Sequence, residues 1–233
     1  TDFPCMSSRR VGQGRVYVQL GDVDKVDFTD WCNGIAAGRS YVSDGYAHAL
    51  HFEVDGKTPG TKDVALANPG RVTVKTTVAF APRTPVGVAY GNVTPTAGRR
   101  MLGDTINLHA PRSEEFIAGG QRLVEVVANG HVVASKKVPA DGKTHDLEFP
   151  VEVTQSSWVA VRHFPQLHTN PVNVIVSEKP IRASADSARW CIETIHELWR
   201  NRSRRISEPE RPAARATYDR AIRKYERIIQ ETH

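Results

Sequence analysis

The 233-residue sequence is short of most features that announce a function. It has three cysteines, Cys5, Cys32 and Cys191, far apart and without a CxxC pair. An odd, scattered set excludes a disulfide framework and a zinc ribbon, and free buried thiols are the ordinary reading. No apolar run approaches the roughly 20 residues that cross a bilayer, so a membrane is not an expected partner. No charged n-region with an apolar h-region stands at the front, so no signal peptide is read and the compartment stays open. Aromatic residues are only 7%.

The missing motifs narrow the chemistry further. The nine histidines, His48, His51, His109, His131, His145, His163, His168, His196 and His233, form no HxH, HExxH or HxxxH. His48 and His51 stand three apart on a strand pattern, which places them on opposite sides. His163 and His168 with Asp186 or Glu178 are weak as a converging ligand set, and loop or surface histidines are the simpler reading. Ser156, Ser157 and Thr169 lack a nucleophile elbow. Gly12-x-Gly14 precedes a strand pattern rather than a helix, so it is no dinucleotide loop. No catalytic residue is assigned in this chain.

What is present is ordinary globular composition, 39% apolar and 24% charged, with a net charge of +5. Residues 182–233 hold 12 Lys and Arg against 8 Asp and Glu, a net of +4. The acids Glu193, Glu197, Glu208, Glu210, Asp219 and Glu226 are interleaved with the bases, which describes solvated helix faces and not a nucleic-acid footprint.

The chain opens Thr1-Asp2-Phe3-Pro4-Cys5 without Met and runs into Arg15–Leu20, which alternates as a strand. This is the texture of a domain's last strand, and the expectation is a C-terminal portion of a longer protein. Asp27 to Asp30 offer N-caps for a helix over 30–37, with Gly38 as its left-handed terminator. Residues 39–43 return to strand. From residue 48 short alternating strands follow at regular spacing. His48–Val54 puts Leu50, Phe52 and Val54 on one face, and Val72–Phe80 puts Val72, Val74, Thr76, Val78 and Phe80 on one face. Asn129-Gly130 joins strands 123–128 and 131–137 in a hairpin, and strands near 144–153, 158–163 and 172–176 complete the set. Residues 82–120 read as a long irregular connection with one edge strand. Ser184 caps a helix carrying Ala188, Cys191, Ile192, Ile195, Leu198 and Trp199. Ser207-Glu208-Pro209-Glu210 fits a capping box for a second, with Ala214, Tyr218, Ala221, Ile222, Tyr225, Ile228 and Ile229 on one face.

The expected fold is mainly β: an antiparallel immunoglobulin-like β-sandwich at 47–183, preceded by a strand-helix segment at 1–46 and followed by an αα-hairpin at 184–233 packed on the sandwich. A carbohydrate-binding or adhesion module, with Trp158 and Tyr46 as its platform, is the alternative reading.

Several phrases carry a family resemblance. Asp2-Phe3-Pro4-Cys5 with Arg10-Val11-Gly12-x-Gly14-Arg15-Val16-Tyr17-Val18 resembles the end of a PHP (polymerase and histidinol phosphatase) metallohydrolase domain of the CehA/McbA type. Residues 37–45, Ala-Gly-Arg-Ser-Tyr-Val-Ser-Asp-Gly, resemble the segment after that domain. Ser157–Arg162 and His168-Thr169-Asn170-Pro171 resemble its C-terminal sandwich, and Glu178–Ala183 the exit from it. The resemblance implies a parent whose barrel holds two or three divalent ions (Zn, Mn or Fe) that activate water for ester or phosphoester hydrolysis. It implies residues 1–46 as the end of that barrel and its junction, and the upstream PHP domain of the same polypeptide as partner. A homo-oligomer and a secreted or periplasmic parent are both compatible with it. Asp2 falls at the Asp of the family's last ligand pair, while Pro4 stands where the family has His. This chain would need no cofactor of its own. Arg39, His168 and Asn170 are the candidate substrate contacts, bordering the parent's active-site mouth. Each has a structural reading as well. Arg39 serves equally in a junction ion pair, and the His168–Pro171 peptide as a strand bulge tied to its neighbour by a His or Thr side chain.

Overall fold

The computed structural model describes residues 14–85 and 116–232, which divide into two compact units with the boundary between Glu178 and Lys179. Asp2, Pro4, Cys5 and His109 lie outside the described residues, as does the middle of the 82–120 connection.

The first unit is mainly β. Strands β1 (Arg15–Val18), β2 (Ser40–Ser43), β12 (Leu167–Thr169), β11 (Ser157–His163), β13 (Val172–Val176) and β4 (Val64–Leu66) lie in that order in one sheet. β8 (Gln121–Ala128) pairs with β11, and β9 (His131–Pro139) pairs with β8. A second sheet has the order β10 (Thr144–Val153), β5 (Gly70–Phe80), β3 (Ala47–Val54). Every described pairing between these strands is antiparallel except β13 with β4. The two ends of the long connection pair with each other, β6 (Arg83–Pro85) with β7 (Phe116–Ala118). Inward side chains of both large sheets meet in one hydrophobic core, with Val54, Val74, Val78 and Phe80 from one and Val124, Val126, Val159, Val161 and Val174 from the other. β5 shows why: its alternate residues Val72, Val74, Thr76, Val78 and Phe80 are all buried, as the period of two requires.

β3 departs from the expected pattern. Its register shifts between Ala49 and His51, a bulge that leaves Leu50 55% exposed. Ala47 and Ala49 point inward before the bulge, and Phe52 and Val54 after it. The extra residue changes the parity of the strand. Leu50 therefore leaves the core face on which simple alternation puts it. The same shift corrects the histidines: His48 and His51 oppose Ala79 and Thr77 and share the face away from the core. The Thr76 hydroxyl donates to the His51 carbonyl (2.8 Å), satisfying a buried hydroxyl at the bulge.

α1 (Phe28–Ala36) begins two residues before the expected start, because Asp27 Oδ1 accepts from the Thr29 and Asp30 amides (2.7 and 3.3 Å). Gly38 terminates it as expected, with φ +81°. Its N–H donates to Ile35 O and the Arg39 N–H donates to Gly34 O, both 2.9 Å, the paired closure of a Schellman motif. The Asn129-Gly130 turn carries the two positive φ values that a two-residue hairpin of this kind needs.

The second unit is a helix pair, α2 (Ala185–Arg202) and α3 (Arg211–Glu231), with a 3-10 turn at Ser203–Arg205 between them. Ser184 Oγ accepts from Ser187 N–H (3.1 Å) and the Ser207 hydroxyl donates to Glu210 (2.7 Å). Trp199 packs edge-on against Tyr218 (5.2 Å) with the Arg215 guanidinium over its ring, and Arg182 pairs with Glu231. No helix among the described residues is long and apolar enough to cross a membrane.

Candidate functional site

β12 sits at the centre of the polar architecture of the first unit, with an assembly at each end. At its C-terminal end the strand paired with β11 is interrupted before it continues, still antiparallel, as β13. Three residues separate His168 and Val172 where β11 has only two between Val159 and Arg162. The surplus residue is accommodated at Thr169-Asn170-Pro171, where the residue before proline must stay extended. The Thr169 hydroxyl fills the gap by accepting from the buried Val161 N–H (3.0 Å). A His or Thr side chain tying a strand bulge to its neighbour is the structural role expected of this peptide, and Thr169 performs it. Thr169→Val removes that acceptor and keeps the shape. It is expected to cost about 1–3 kcal/mol in urea unfolding, the cost of stranding a buried amide.

Asn170 then ties the bulge to the segment after α1. Its Nδ2 donates to Gly38 O and to Ser40 Oγ, both 3.0 Å, and its own N–H donates to Ser40 O (3.1 Å). Gly60, at φ +73°, lies so close that a Cβ there would sit 2.3 Å from Ala37 O and 2.6 Å from Arg39 Cγ. Arg39 is half-buried; its Nε is shielded from water and makes no hydrogen bond among the described residues. Two of the candidate substrate contacts, Arg39 and Asn170, thus meet at one crossroads of β2, β12 and the turn at Gly60. His168 lies on β12 itself, opposite Val42 of β2 and Arg162 of β11, with Nδ1 2.7 Å from Thr169 O.

At the other end of β12, Gln166 is 2% exposed and donates from Nε2 to Asp44 Oδ2 (3.1 Å). Asp44 also accepts from Tyr46 N–H (2.8 Å). Burial pushes the Asp44 carboxyl above its ordinary value, and these two donors only partly offset it. His163 is buried against Phe80, ring centroids 5.1 Å apart and edge-on, with Nδ1 2.8 Å from Leu123 O. A carbonyl can only accept, so Nδ1 carries the proton and Nε2 is the lone-pair nitrogen. Burial lowers the His163 pKa, and the Leu123 carbonyl and Gln166 act against it. Arg122, 1% exposed and donating from Nη1 to Gln121 O (3.3 Å), adds a lowering charge. His163 is therefore neither a loop nor a surface histidine, and it does not converge with His168. It faces the core, and its neighbour on β11, Arg162, shares the other face with His168.

This cluster makes stability depend on pH. The unfolded chain protonates His163 near 6.5, and the folded chain only at lower pH. Between those values the unfolded state binds more protons, so stability falls as pH falls through that window. Asp44 acts in the opposite sense as pH falls toward the ordinary carboxylate value, since its raised pKa favours the protonated folded state. Urea midpoints taken from pH 7.5 to 5 are expected to decline in the wild type and to decline less in His163→Phe. Equal slopes would remove His163 from the account.

A third group stands beside the corner from β2 to β3. Tyr17 and Tyr41 stack at 5.0 Å, and His48 meets both edge-on. Tyr41 Oη lies 2.9 Å from His48 Nδ1. Burial and the nearby Tyr17 push the Tyr41 phenol up to about 12, so it holds its proton beside the imidazole. That is a packing bond and not an activated nucleophile. Among the described residues no three His, Cys, Asp or Glu side chains stand close enough to hold a metal ion. Trp158, on β11 opposite Asn173, and Tyr46, in the β2–β3 turn, are both half-buried.

Sequence reasoning missed Gly60, Gln166 and the Tyr17–Tyr41–His48 group. Asp44-Gly45 was legible only as a turn. Each depends on contacts between distant segments, and only a glycine between turn residues hinted at Gly60.

No family model matches this chain, and no curated protein matches it. Among solved structures, one to which it is similar is a β-glucosidase from Listeria innocua in complex with glucose, at 12% identity. That match covers 54% of this chain and only 16% of the other, with a TM-score of 0.28, too low to bear on fold or function.

Proposed function

We propose that this chain is the C-terminal accessory portion of a PHP-type metal-dependent hydrolase, an immunoglobulin-like sandwich with a helical hairpin that has no turnover of its own. One observation carries the reading. Three phrases resemble the family, 37–45, 157–162 and 168–171. Ser40 of the first and Asn170 of the third are 130 residues apart, yet the three phrases fall on adjacent strands, β2, β11 and β12. Asn170 of the third phrase hydrogen-bonds Gly38 and Ser40 of the first. The later two phrases are arms of one hairpin, so the long-range pairing of 168–169 with 41–42 is what supports the reading. In the parent, Asp2 would contribute to the metal centre, and the Arg39–Asn170 crossroads, with His168, would border the active-site mouth. Arg39 supplies forked donors suited to an anionic ester there. A glycan-binding role needs an exposed aromatic platform, and half-buried Trp158 and Tyr46 do not favour it.

The test is a hydrolysis assay on two proteins, this chain and the longer product of its reading frame. With Mn or Zn supplied, p-nitrophenyl phosphate mono- and diesters and carboxylic esters are expected to turn over only with the longer product, and EDTA is expected to abolish that turnover. Turnover by this chain alone, or a frame that opens with a start codon immediately before Thr1, would overturn the reading. Binding of this chain on a glycan array, lost in Trp158→Ala, would replace it with the carbohydrate-binding one.

A further inference from the structure

α2 has two faces. Cys191 and Trp199 stand on the side toward α3, in contact with Tyr225 and Tyr218. Trp190, Thr194, Glu197 and Asn201 run down the other side at steps of three and four, the spacing of one helix face. Trp190 is 69% exposed and Leu198 45%, so this face keeps two large apolar side chains in water. An open groove runs along it onto the turn after the helix, and the groove has a direction in charge. Glu193 and Glu197 line it before Leu198, and Arg200, Arg202 and Arg205 line it after Leu198. Glu197 is tied within the helix, to Arg200 and to Asn201 Nδ2 (2.7 Å). Glu193, Arg202 and Arg205 make no ion pair among the described residues. At 1.5 Å of rise per residue, Glu193 lies about 7.5 Å before Leu198 and Arg202 about 6 Å after it.

We propose that this groove is the interface of a homodimer in which two α2 helices pack antiparallel about a two-fold axis at Leu198. The inference goes beyond the functional reading and does not depend on it. The order of charges selects the occupant. A two-fold axis at Leu198 sets each residue before it against the residue equally far after it in the second copy. Glu193 then meets Arg202 to within one residue's rise, twice per dimer. Leu198 meets its own symmetry mate. Trp190 comes onto the turn that carries Arg205, where the guanidinium covers the indole as Arg215 covers Trp199 within one copy. A polyanion is repelled by Glu193 and Glu197, and a basic surface by the arginines. The groove is complementary in charge to itself turned end for end, which is what an isologous contact requires. Trp and Arg are also the side chains that dominate such contacts.

Sedimentation velocity over a concentration series tests it, in reducing buffer so that Cys5, Cys32 and Cys191 add no cross-link. The chain is expected to pass from monomer to dimer as its concentration rises. Leu198→Glu sets two carboxylates face to face on the axis and is expected to leave the chain monomeric. Glu193→Arg, and separately the double variant Arg202→Glu, Arg205→Glu, turns attraction into repulsion twice per dimer. Each is expected to weaken self-association on the order of tenfold. Mixed in equal amounts, the two are expected to recover the wild-type dimer, because both contacts of the mixed pair again join opposite charges. Recovery also shows that both variants are folded. A wild-type chain that stays monomeric at every concentration overturns the proposal. So does a dimer that Leu198→Glu and Glu193→Arg leave unmoved, since it uses another surface. Charge variants that weaken the dimer singly and fail to recover on mixing overturn it as well, because antiparallel pairing at Leu198 requires the recovery.

Discussion

Gly60→Ala is expected to lower the stability of the first unit by about 3 kcal/mol or more, from two costs that add. An L-residue in the left-handed region at φ +73° costs about 1–2 kcal/mol. The new methyl would also lie 2.3 Å from Ala37 O and 2.9 Å from Arg39 N. Those are backbone atoms on a segment pinned by the Schellman closure of α1 and by Asn170 on Gly38 O. Relief requires moving the turn, at an overpacking cost of about 1–3 kcal/mol. Gly56→Ala is the control. Gly56 has almost the same φ, +74°, and nothing within 4 Å of its would-be Cβ, so only the conformational cost applies. Denaturant midpoints for the two variants should differ by the packing cost. Equal midpoints would mean that the crossroads yields freely and fixes nothing in place.

Phe80→Ala is expected to cost about 3–5 kcal/mol, the range for deleting a buried aromatic ring. Phe80 is 1% exposed and ends β5, where it closes the core against His163. The deletion has a second consequence that a simple loss of packing lacks. It opens His163 to water, removes much of the desolvation that lowers its pKa, and so moves that pKa back toward 6.5. The imidazole titration, followed by NMR, should shift upward in Phe80→Ala, and the decline of stability in mild acid should flatten. A large destabilisation with an unmoved titration would show that Phe80 supports the core without shielding the histidine.

Local features were the legible ones. Strict alternation in β5 placed Thr76 in the core beside four apolar residues, and Asn129-Gly130 and Gly38 could be read because their backbone angles demand those residue types. Leu50 was misplaced because a bulge leaves no mark in a hydrophobic pattern; it simply reverses parity after Ala49. Strands β4 and β12 are three residues long, too short to show a period. Pairing partners were hidden as well. β10 follows β9 in sequence yet pairs with β5, some 70 residues earlier, and the Asp141-Gly142 turn between β9 and β10 gave no sign of it. The same distance hid the site. Asn170 reaches Gly38 across 132 residues and Gln166 reaches Asp44 across 122, so neither partnership could be read from local spacing. Arg39 and Asn170 carry no mark of each other in sequence, and the fold puts them on one crossroads. Asp2, the one candidate ligand, lies outside the described residues.

On the proposed function, this chain follows a metal centre in a longer polypeptide and holds none of its own. Metal analysis tests it directly. This chain and the longer product of its frame are loaded with Mn or Zn, passed through a desalting column, and measured for bound metal per polypeptide. Well under one equivalent is expected on this chain, and two or three on the longer product. A stoichiometric ion retained by this chain alone, or none on the longer product, would contradict it.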